Sequence, residues 1–293
     1  MSSVHPEENS YVLDQESSAE MARLIDQDAM LTRHMGGLFP PDLDFSQVHD
    51  ILDIACGPGS WALEVAFAHP DKRVVGIDIS TRMLNYARMR AHVQGRTNVT
   101  FQFMDATEPL NFPDNSFDFV NARFLIGFMW KEIWTSFVRE CFRITRPGGI
   151  IRLTEIDTAL TGITNSTALE KLNRLIIRAA ARQGRSFGDE ETPHMAITPL
   201  LRHFLEQCGY RDIHEQPHLL NYSFGRTGYA TQYKNLQMAM KLIQPFLTKM
   251  GIATQEELDR LYDQMLLEMM QESFRGIWYF MSAIGHKPSS STS

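Results

Sequence analysis

The first segment whose residue types suggest chemistry is an apolar stretch followed by a glycine-containing turn. Residues 50–61 read DILDIACGPGSW, and Asp53 stands near the end of the apolar stretch, just before Gly57 and Gly59. Glycine allows a sharp turn and, because it has no Cβ, lets the backbone approach a ligand closely. The helix expected next would present unpaired N–H groups at its N-terminus. This pattern predicts a ligand-binding loop.

Two more acids follow apolar runs in the same part of the chain. Asp78 ends the run at 73–78, and Asp105 follows the run at 99–104. Taken singly, Asp78 has an alternative interpretation as a helix cap and Asp105 as a turn residue. The carboxyl ends of successive parallel strands converge on one crevice, however, so we expect Asp53, Asp78 and Asp105 to lie together. Since Asp78 can accept hydrogen bonds from both hydroxyls of a ribose, the three acids predict a nucleoside site.

The choice of nucleoside depends on Asp53. Residues 57–62 fit G-x-G-x-x-A, the fingerprint of a dinucleotide loop. An acid inside the strand before that turn would face a pyrophosphate unfavourably, whereas it suits a ligand with a cationic amine, such as the methionyl part of S-adenosylmethionine. Asp53 therefore favours S-adenosylmethionine. An NAD-dependent oxidoreductase and a non-catalytic cofactor-binding protein remain the alternatives.

The central third of the chain resembles a known protein family. Residues 48–155 resemble the core of class I S-adenosylmethionine-dependent methyltransferases, in the small-molecule branch typified by ubiquinone and menaquinone C-methyltransferases. LDIACGPGS is similar to the first motif of that family, with Ala55 in place of a glycine. Segments 76–84 and 103–120 resemble the second motif and the third and fourth together, and 139–151 matches the helix and turn before the fifth strand.

The resemblance implies roles for individual residues in cofactor binding. Asp78 would hold the ribose, and the segment with Met83 would border the adenine. Asp105 would accept from the adenine amino group, and the Ala106 N–H would donate to the ring. Tyr11 precedes the first predicted helix and would lie over the cofactor if that helix acts as a lid. The predicted cofactor-binding set is Tyr11, Asp53, Ala55, Gly57, Gly59, Asp78, Ile79, Met83, Asp105, Ala106 and Asn121.

Candidates for a general base stand at and after the fifth predicted strand. Methyl transfer mainly requires alignment of donor and acceptor, and it needs a base only where the acceptor must lose a proton. Glu155 and His194 are the predicted catalytic residues, and Asp157 is a third candidate. Each has a structural alternative: Glu155 could bind backbone or an arginine, Asp157 could cap a turn, and His194 could be a solvated loop residue.

The pattern of elements predicts an α/β fold, with a doubly wound, Rossmann-like and mostly parallel sheet. Short apolar runs alternate with helical stretches, which is typical of βαβ units. The runs are 50–55, 73–78, 99–104, 117–121 and 149–155, and the helical stretches lie near 60–69, 81–94 and 131–145. Later come helices at 167–183 and 197–208 and strands at 211–219 and 276–285. We predict an N-terminal lid helix (14–36, within a segment 1–40), a core (41–221 and 273–287), a helical cap (222–272) and a tail (288–293).

The predicted cap indicates the class of acceptor. It is rich in Met, Leu and aromatic residues, most of which would pack against other helices, but a pliable apolar face suits a hydrophobic ligand. We therefore expect an apolar or aromatic small-molecule acceptor, methylated at O, N or C, in specialised metabolism. A homodimer through the N-terminal helix or the cap is plausible.

Composition and the end of the fourth strand limit the partners that we expect for the protein. The 293-residue chain has a formal charge of -7, which gives no electrostatic footprint for nucleic acid. The fourth predicted strand ends in Asn121-Ala122-Arg123-Phe124, which differs from the Asn/Asp-Pro-Pro-Tyr pattern of enzymes that methylate nucleic-acid amino groups. With three scattered cysteines we expect no metal site. We expect a cytoplasmic protein that binds neither nucleic acid nor membrane.

Overall fold

The computed structural model describes residues 18–40 and 43–289, and its centre is a mostly parallel β-sheet. The strands are β1 (Asp50–Ile54), β2 (Arg73–Asp78), β3 (Val99–Phe103), β4 (Phe117–Arg123), β5 (Thr145–Glu155), β6 (Ile163–Thr164), β7 (Arg211–Asn221) and β8 (Gly276–His286). Strands β3, β2, β1, β4 and β5 are adjacent in that order and parallel. Strand β8 runs antiparallel between β5 and β7, and its first residues also pair with β6.

Helices cover this sheet on both faces, as the doubly wound prediction requires. They are α1 (Ser18–His34), α2 (Ser60–Ala68), α3 (Thr81–Val93), α4 (Trp134–Ile144), α5 (Thr167–Arg182), α6 (Leu201–Cys208), α7 (Tyr229–Leu242), α8 (Gln244–Lys249) and α9 (Gln255–Met269). Two neighbouring residues of β1 show the layering: Ile51 packs in one apolar cluster and Leu52 in the other. Successive side chains of a strand point to opposite faces, so a strand buried on both faces is apolar throughout.

The site is positioned by the adjacency of β1 and β4 in the sheet. Strand β1 has β2 on one side and β4 on the other, so the chain direction across the sheet reverses there. The loops after β1 and β4 consequently leave in opposite directions and open a crevice at the carboxyl edge. In the register of the sheet, Ile54 of β1 pairs with Ala122 of β4. The glycine turn and the segment after Arg123 therefore border the same crevice.

The helical layer above this edge is larger than the predicted cap. Helices α7, α8 and α9 lie between β7 and β8, inside the predicted segment 222–272. Helix α5, which the sequence prediction placed in the core segment, packs against α9, and α1 packs against α7. Within the described ranges, no helix is long and apolar enough to cross a bilayer.

Candidate functional site

A cavity of about 240 Å³ opens at the carboxyl edge of the sheet. Its cofactor end is lined by residues of the glycine turn and the strand ends, which are Asp53, Ala55, Gly57, Asp78 and Met83. Helix α1 adds Leu24, Gln27, Asp28 and Leu31. Its apolar end is lined by Phe124, Ile126, Phe128, Ile156, Leu160, Ile176, Ala180, Met195, Ala239, Met240, Ile243 and Phe246. Polar strand ends and apolar helices thus share one continuous cavity.

Asp53 is a buried carboxylate with a hydrogen-bond donor to only one of its oxygens among the described residues. Its Oδ1 accepts a hydrogen bond of 2.7 Å from Asn121 Nδ2, and Asn121 Oδ1 accepts one of 2.8 Å from Arg152 Nε. Among the described residues, no donor reaches the second oxygen of Asp53. Burial raises the pKa of Asp53 to about 6, although the positive charge of Arg123 opposes that rise. A cationic group in the cavity would stabilise this carboxylate.

Arg123 supplies a positive charge at the same end of the cavity. One of its terminal nitrogens, Nη2, pairs with the Asp28 carboxylate of α1. The other, Nη1, is buried and has no hydrogen-bond partner among the described residues. Arg123, Asp28 and Asp53 all line the cavity. An acid with a free oxygen and a guanidinium with a free N–H fit the ammonium and the carboxylate of an amino acid.

The glycine turn is held by Asp78. Its carboxylate accepts hydrogen bonds of 2.8 Å from the backbone N–H groups of Gly57 and Ser80. Burial raises the pKa of Asp78. Gly57 has φ +52, and among the described residues a Cβ there would approach only the Leu24 side chain, at 3.9 Å. Gly57 therefore leaves an open cradle on the cavity side, where a ligand can contact the backbone.

Packing restricts the space around Gly59, whose cofactor contact remains a prediction. A Cβ at Gly59 would lie 2.7 Å from the Phe101 ring and 2.8 Å from Ala87 Cβ, and Gly59 does not line the cavity. Its missing side chain admits the packing of α2 and α3 against the sheet. Asn121 is also absent from the lining and acts on the site through Asp53.

Of the other predicted cofactor residues that the structure describes, two line the cavity and three do not. Ala55 and Met83 line it. Ile79 is exposed after β2, and Ala106 is buried outside the lining. Asp105 Oδ1 accepts hydrogen bonds from the backbone N–H and the hydroxyl of the residue two positions on. The cofactor contacts of these three remain predictions, and Tyr11 lies outside the described residues.

Glu155, a predicted catalytic residue, is bonded to backbone groups in the structure. Its carboxylate is buried and accepts hydrogen bonds from Leu125 N at 2.7 Å and Ile126 N at 3.4 Å, which caps a short 3₁₀ helix after β4. Burial raises the pKa of Glu155 well above its usual range. Its side chain does not line the cavity.

The other two base candidates are also outside the cavity. Asp157 accepts a hydrogen bond of 2.7 Å from Ile197 N and pairs with the Thr198 hydroxyl, so it caps a turn. His194 is exposed and absent from the lining. The catalytic prediction of Glu155 and His194 thus has no geometric support, because neither residue reaches the cavity. Within the described part of the chain, no cluster of side chains could hold a metal ion.

Several charged residues that line the cavity were not predicted as site residues from the sequence. Arg123, Asp28 and Arg185 carry charge into the cavity. Arg123 is the last residue of the mostly apolar strand β4, and that position was a signal available in the sequence. Asp28 and Arg185 come from segments distant in the chain, where no local pattern marks them.

Comparison with known proteins identifies the domain. Residues 51–149 match the family model described as a methyltransferase domain. The demethylmenaquinone methyltransferase of Geobacillus stearothermophilus is 36% identical over 102 residues, which are 34% of this chain and 42% of that protein. The chain thus spans less than half the length of this curated relative.

Solved structures agree on the fold. A SAM-dependent methyltransferase from Methanosarcina mazei has a TM-score of 0.53 at 19% identity, covering 86% of this chain and 99% of the other. Phosphoethanolamine N-methyltransferase 2 of Haemonchus contortus, in complex with S-adenosyl-L-methionine, has a TM-score of 0.51 at 20% identity, covering 92% and 52%. At these identities the likeness concerns the fold. Residues 51–149 thus carry a methyltransferase domain, and the chain shares its fold with S-adenosylmethionine-dependent methyltransferases.

Proposed function

We propose that the whole chain is an S-adenosylmethionine-dependent methyltransferase whose acceptor is an apolar or aromatic small molecule of specialised metabolism. The observation that carries this proposal is the continuous cavity, which runs from the strand-end acids to the apolar helices. A transferase needs both substrates in one water-excluding space, and here a polar end and an apolar end are joined.

At the cofactor end, the residues fit the donor. S-adenosylmethionine supplies a methyl group that is electrophilic because it is attached to a positively charged sulfur. Asp53 would hold the ammonium of the methionyl part and Arg123 its carboxylate, and Asp78 would accept from the ribose hydroxyls. Helix α1 lies over this end through Leu24 and Asp28 and would exclude water from it.

At the apolar end, the lining suggests the acceptor. Aliphatic and aromatic side chains from α5, α7 and α8, and from the segments after β4 and β5, surround this space. The name of the curated relatives indicates that they methylate a demethylmenaquinone, which is a quinone. The family match ends at residue 149, before most of these lining residues. The class of acceptor therefore rests on the lining, and the relatives offer a precedent for an apolar ring.

The dinucleotide alternative is disfavoured by charge. The carboxylates of Asp28, Asp53 and Asp78 all line the cavity. A pyrophosphate at the glycine turn would meet Asp53 and Asp78 at close range, and like charges in a partly buried site repel strongly. Arg123 and Arg185, which also line the cavity, do not offset this local repulsion, because Arg123 pairs with Asp28 and Arg185 lies at the apolar end. A ligand with a cationic amine is attracted by Asp53.

The donor is tested by ligand-induced stabilisation. A ligand that binds only the folded state raises the apparent stability, so S-adenosylhomocysteine should raise the Tm and NAD should leave it unchanged. The reverse pattern would contradict the proposal. Consumption of S-adenosylmethionine with a panel of aromatic acceptors then separates an enzyme from a non-catalytic binding protein.

The acceptor end is tested with a cavity-filling pair of variants in α7. Ala239 is buried and lines the cavity, whereas Ala230 on the same helix is exposed. We expect A239L to lower the rate with aromatic acceptors while S-adenosylhomocysteine binding persists, and A230L to behave like the parent. Turnover confined to charged, hydrophilic acceptors would contradict the acceptor class. The cytoplasmic location and the homodimer remain predictions.

A further inference from the structure

Arg185 places a cation in the otherwise apolar end of the cavity. It follows α5 and is 4% exposed. It lines the cavity beside Phe128, Ile176 and Ala180, all of them uncharged. A charged group in such surroundings has lost most of its hydration, which costs several kcal/mol unless another charge compensates it.

The protein compensates Arg185 only weakly. Nη1 donates a hydrogen bond of 2.9 Å to the carbonyl oxygen of Gly127, and the guanidinium lies 5.6 Å from the centre of the Trp130 ring. Nε is buried without a partner, and among the described residues no donor–acceptor pair involves Nη2. No carboxylate of the described chain forms an ion pair with it.

The other arginines that are buried or nearly buried, Arg23, Arg123 and Arg152, contrast with Arg185. Arg23 pairs with Glu20, and Arg123 pairs with Asp28. Arg152 is linked to the Asp53 carboxylate through the Asn121 side chain. In each of these cases the protein supplies a nearby negative charge. For Arg185, burial lowers the pKa to about 10 and no carboxylate opposes that change, yet the group stays protonated at neutral pH.

We propose that the acceptor carries a negatively charged oxygen, a carboxylate or a phenolate, that pairs with Arg185. The proposal rests on the proposed methyltransferase function and specifies the substrate of the same cavity. The planar guanidinium, whose Nε and Nη2 have no partner among residues 18–40 and 43–289, matches an oxyanion on an apolar or aromatic body. The apolar lining would hold the body and Arg185 the charge.

An ion pair between Arg185 and the acceptor also removes the need for a general base in the cavity. The carboxylates that line the described cavity, Asp28, Asp53 and Asp78, are at its cofactor end, and no histidine of the described chain lines it. A phenolate held by Arg185 is already the nucleophilic form. Its oxygen donates an electron pair to the methyl carbon as the carbon–sulfur bond breaks, and that bonding pair moves to sulfur. The positive charge of the sulfonium and the negative charge of the acceptor cancel, and no proton moves. In a carboxylate-bearing acceptor, the same ion pair would fix the orientation of the molecule.

The test compares anions with neutral molecules of similar shape. Isothermal titration calorimetry on the full chain saturated with S-adenosylhomocysteine would use 2-naphthoate against 2-naphthamide for the carboxylate, and 4-nitrophenolate against 4-nitroanisole for the phenolate. We expect the anion to bind at least about tenfold more tightly in one of the two pairs, as for a desolvated charge pair. The pair that shows the preference identifies the oxyanion.

Variants assign the preference to Arg185. R185M should lose the preference for the anion while keeping its affinity for the neutral probe, and R185K should retain part of it. Arg182 is three residues earlier, where its Nε bonds to Glu190 on the surface, so R182M is a matched control that should keep the preference. The wild-type comparison stands even if R185M does not fold.

The outcomes separate this inference from the proposed function. Failure of the wild-type chain to bind S-adenosylhomocysteine contradicts the proposed function itself. Three results would overturn the role of Arg185 alone, provided that the wild-type chain binds S-adenosylhomocysteine. Neither anion binds, the anions bind no more tightly than the neutral probes, or folded R185M keeps the preference for the anion.

Discussion

The Asn121 amide donates a 2.7 Å hydrogen bond to the Asp53 carboxylate. Because its carbonyl oxygen also accepts from Arg152 Nε at 2.8 Å, Asn121 bridges an acid that lines the cavity and a cation that does not. The two charges are thereby coupled without direct contact. Asn121 is a positioning residue, since it fixes Oδ1 of Asp53 and leaves Oδ2 available to a ligand.

Replacing Asn121 by leucine should weaken both stability and cofactor binding. The change leaves the buried Asp53 without its donor and Arg152 Nε without its acceptor, for an expected loss of about 2–4 kcal/mol in the free energy of unfolding. The Kd for S-adenosylhomocysteine should rise about tenfold, as for a lost charge-positioning contact. Urea denaturation and calorimetry measure the two effects.

Asn98 provides a control for that variant. Its amide donates to the carbonyls of Ala66, His69 and Lys72, away from the cavity. N98L should also lose stability but bind S-adenosylhomocysteine like the parent. If N121L binds the ligand as tightly as N98L does, Asn121 does not position Asp53 for the cofactor.

The raised pKa of Asp53 predicts a pH dependence of stability in the ligand-free protein. The pKa is about 6 in the folded state against 3.8 as the reference value, so the folded state binds the proton more tightly. The contribution of Asp53 is therefore full below pH about 4 and is lost as pH rises through about 6. The unfolding free energy of the parent minus that of D53N should fall by about 3 kcal/mol across this window. Urea denaturation at several pH values measures it.

Ligand binding should show the opposite trend. A cationic amine next to Asp53 stabilises the ionised form, so the affinity for S-adenosylhomocysteine should rise as pH increases from 5 to 7, by up to about tenfold per unit below the pKa. D53N should bind more weakly and flatten this slope. Equal slopes in the parent and D53N would show that Asp53 does not exchange its proton on binding.

Gly59 and Gly95 form a matched pair for backbone strain and steric fit. Both have positive φ, +73 and +64, but a Cβ at Gly95 meets nothing within 4 Å, whereas one at Gly59 would overlap the Phe101 ring. G95A should cost about 1 kcal/mol in the free energy of unfolding, from backbone strain alone. G59A should cost about 3 kcal/mol or more, because strain and overpacking add. Similar urea midpoints for the two variants would contradict the steric role of Gly59.

Glu155 should prove dispensable for chemistry. Because its carboxylate caps Leu125 and Ile126 and does not reach the cavity, E155Q should keep its rate within about twofold, whereas E155L should lose about 2 kcal/mol of stability. H194A, at an exposed position, should be active. Donor consumption with a productive acceptor measures the rates. A drop of about a hundredfold in E155Q, within the range of a lost general base, would restore the catalytic interpretation.

The sequence alone determined the fold class and the strand ends at which the predicted cofactor residues stand. Apolar strands separated by helical stretches specify a parallel sheet, because a strand buried on both faces must be apolar throughout. Asp53 and Asp78 were identifiable because each stands at a strand end, and parallel strands bring those ends to one edge. Gly57 was recognisable because its backbone conformation is local. Such features depend on a few neighbouring residues.

Only the tertiary structure decided which side chains enter the cavity. Glu155 stands at a strand end like Asp53, yet its carboxylate turns to cap a 3₁₀ helix. Gly59 fits the motif but is required by Phe101. Arg185 lies next to Gly127 because α5 packs above the sheet edge. These contacts join residues far apart in the chain, and packing, which balances burial and hydrogen bonding over the whole core, selects them.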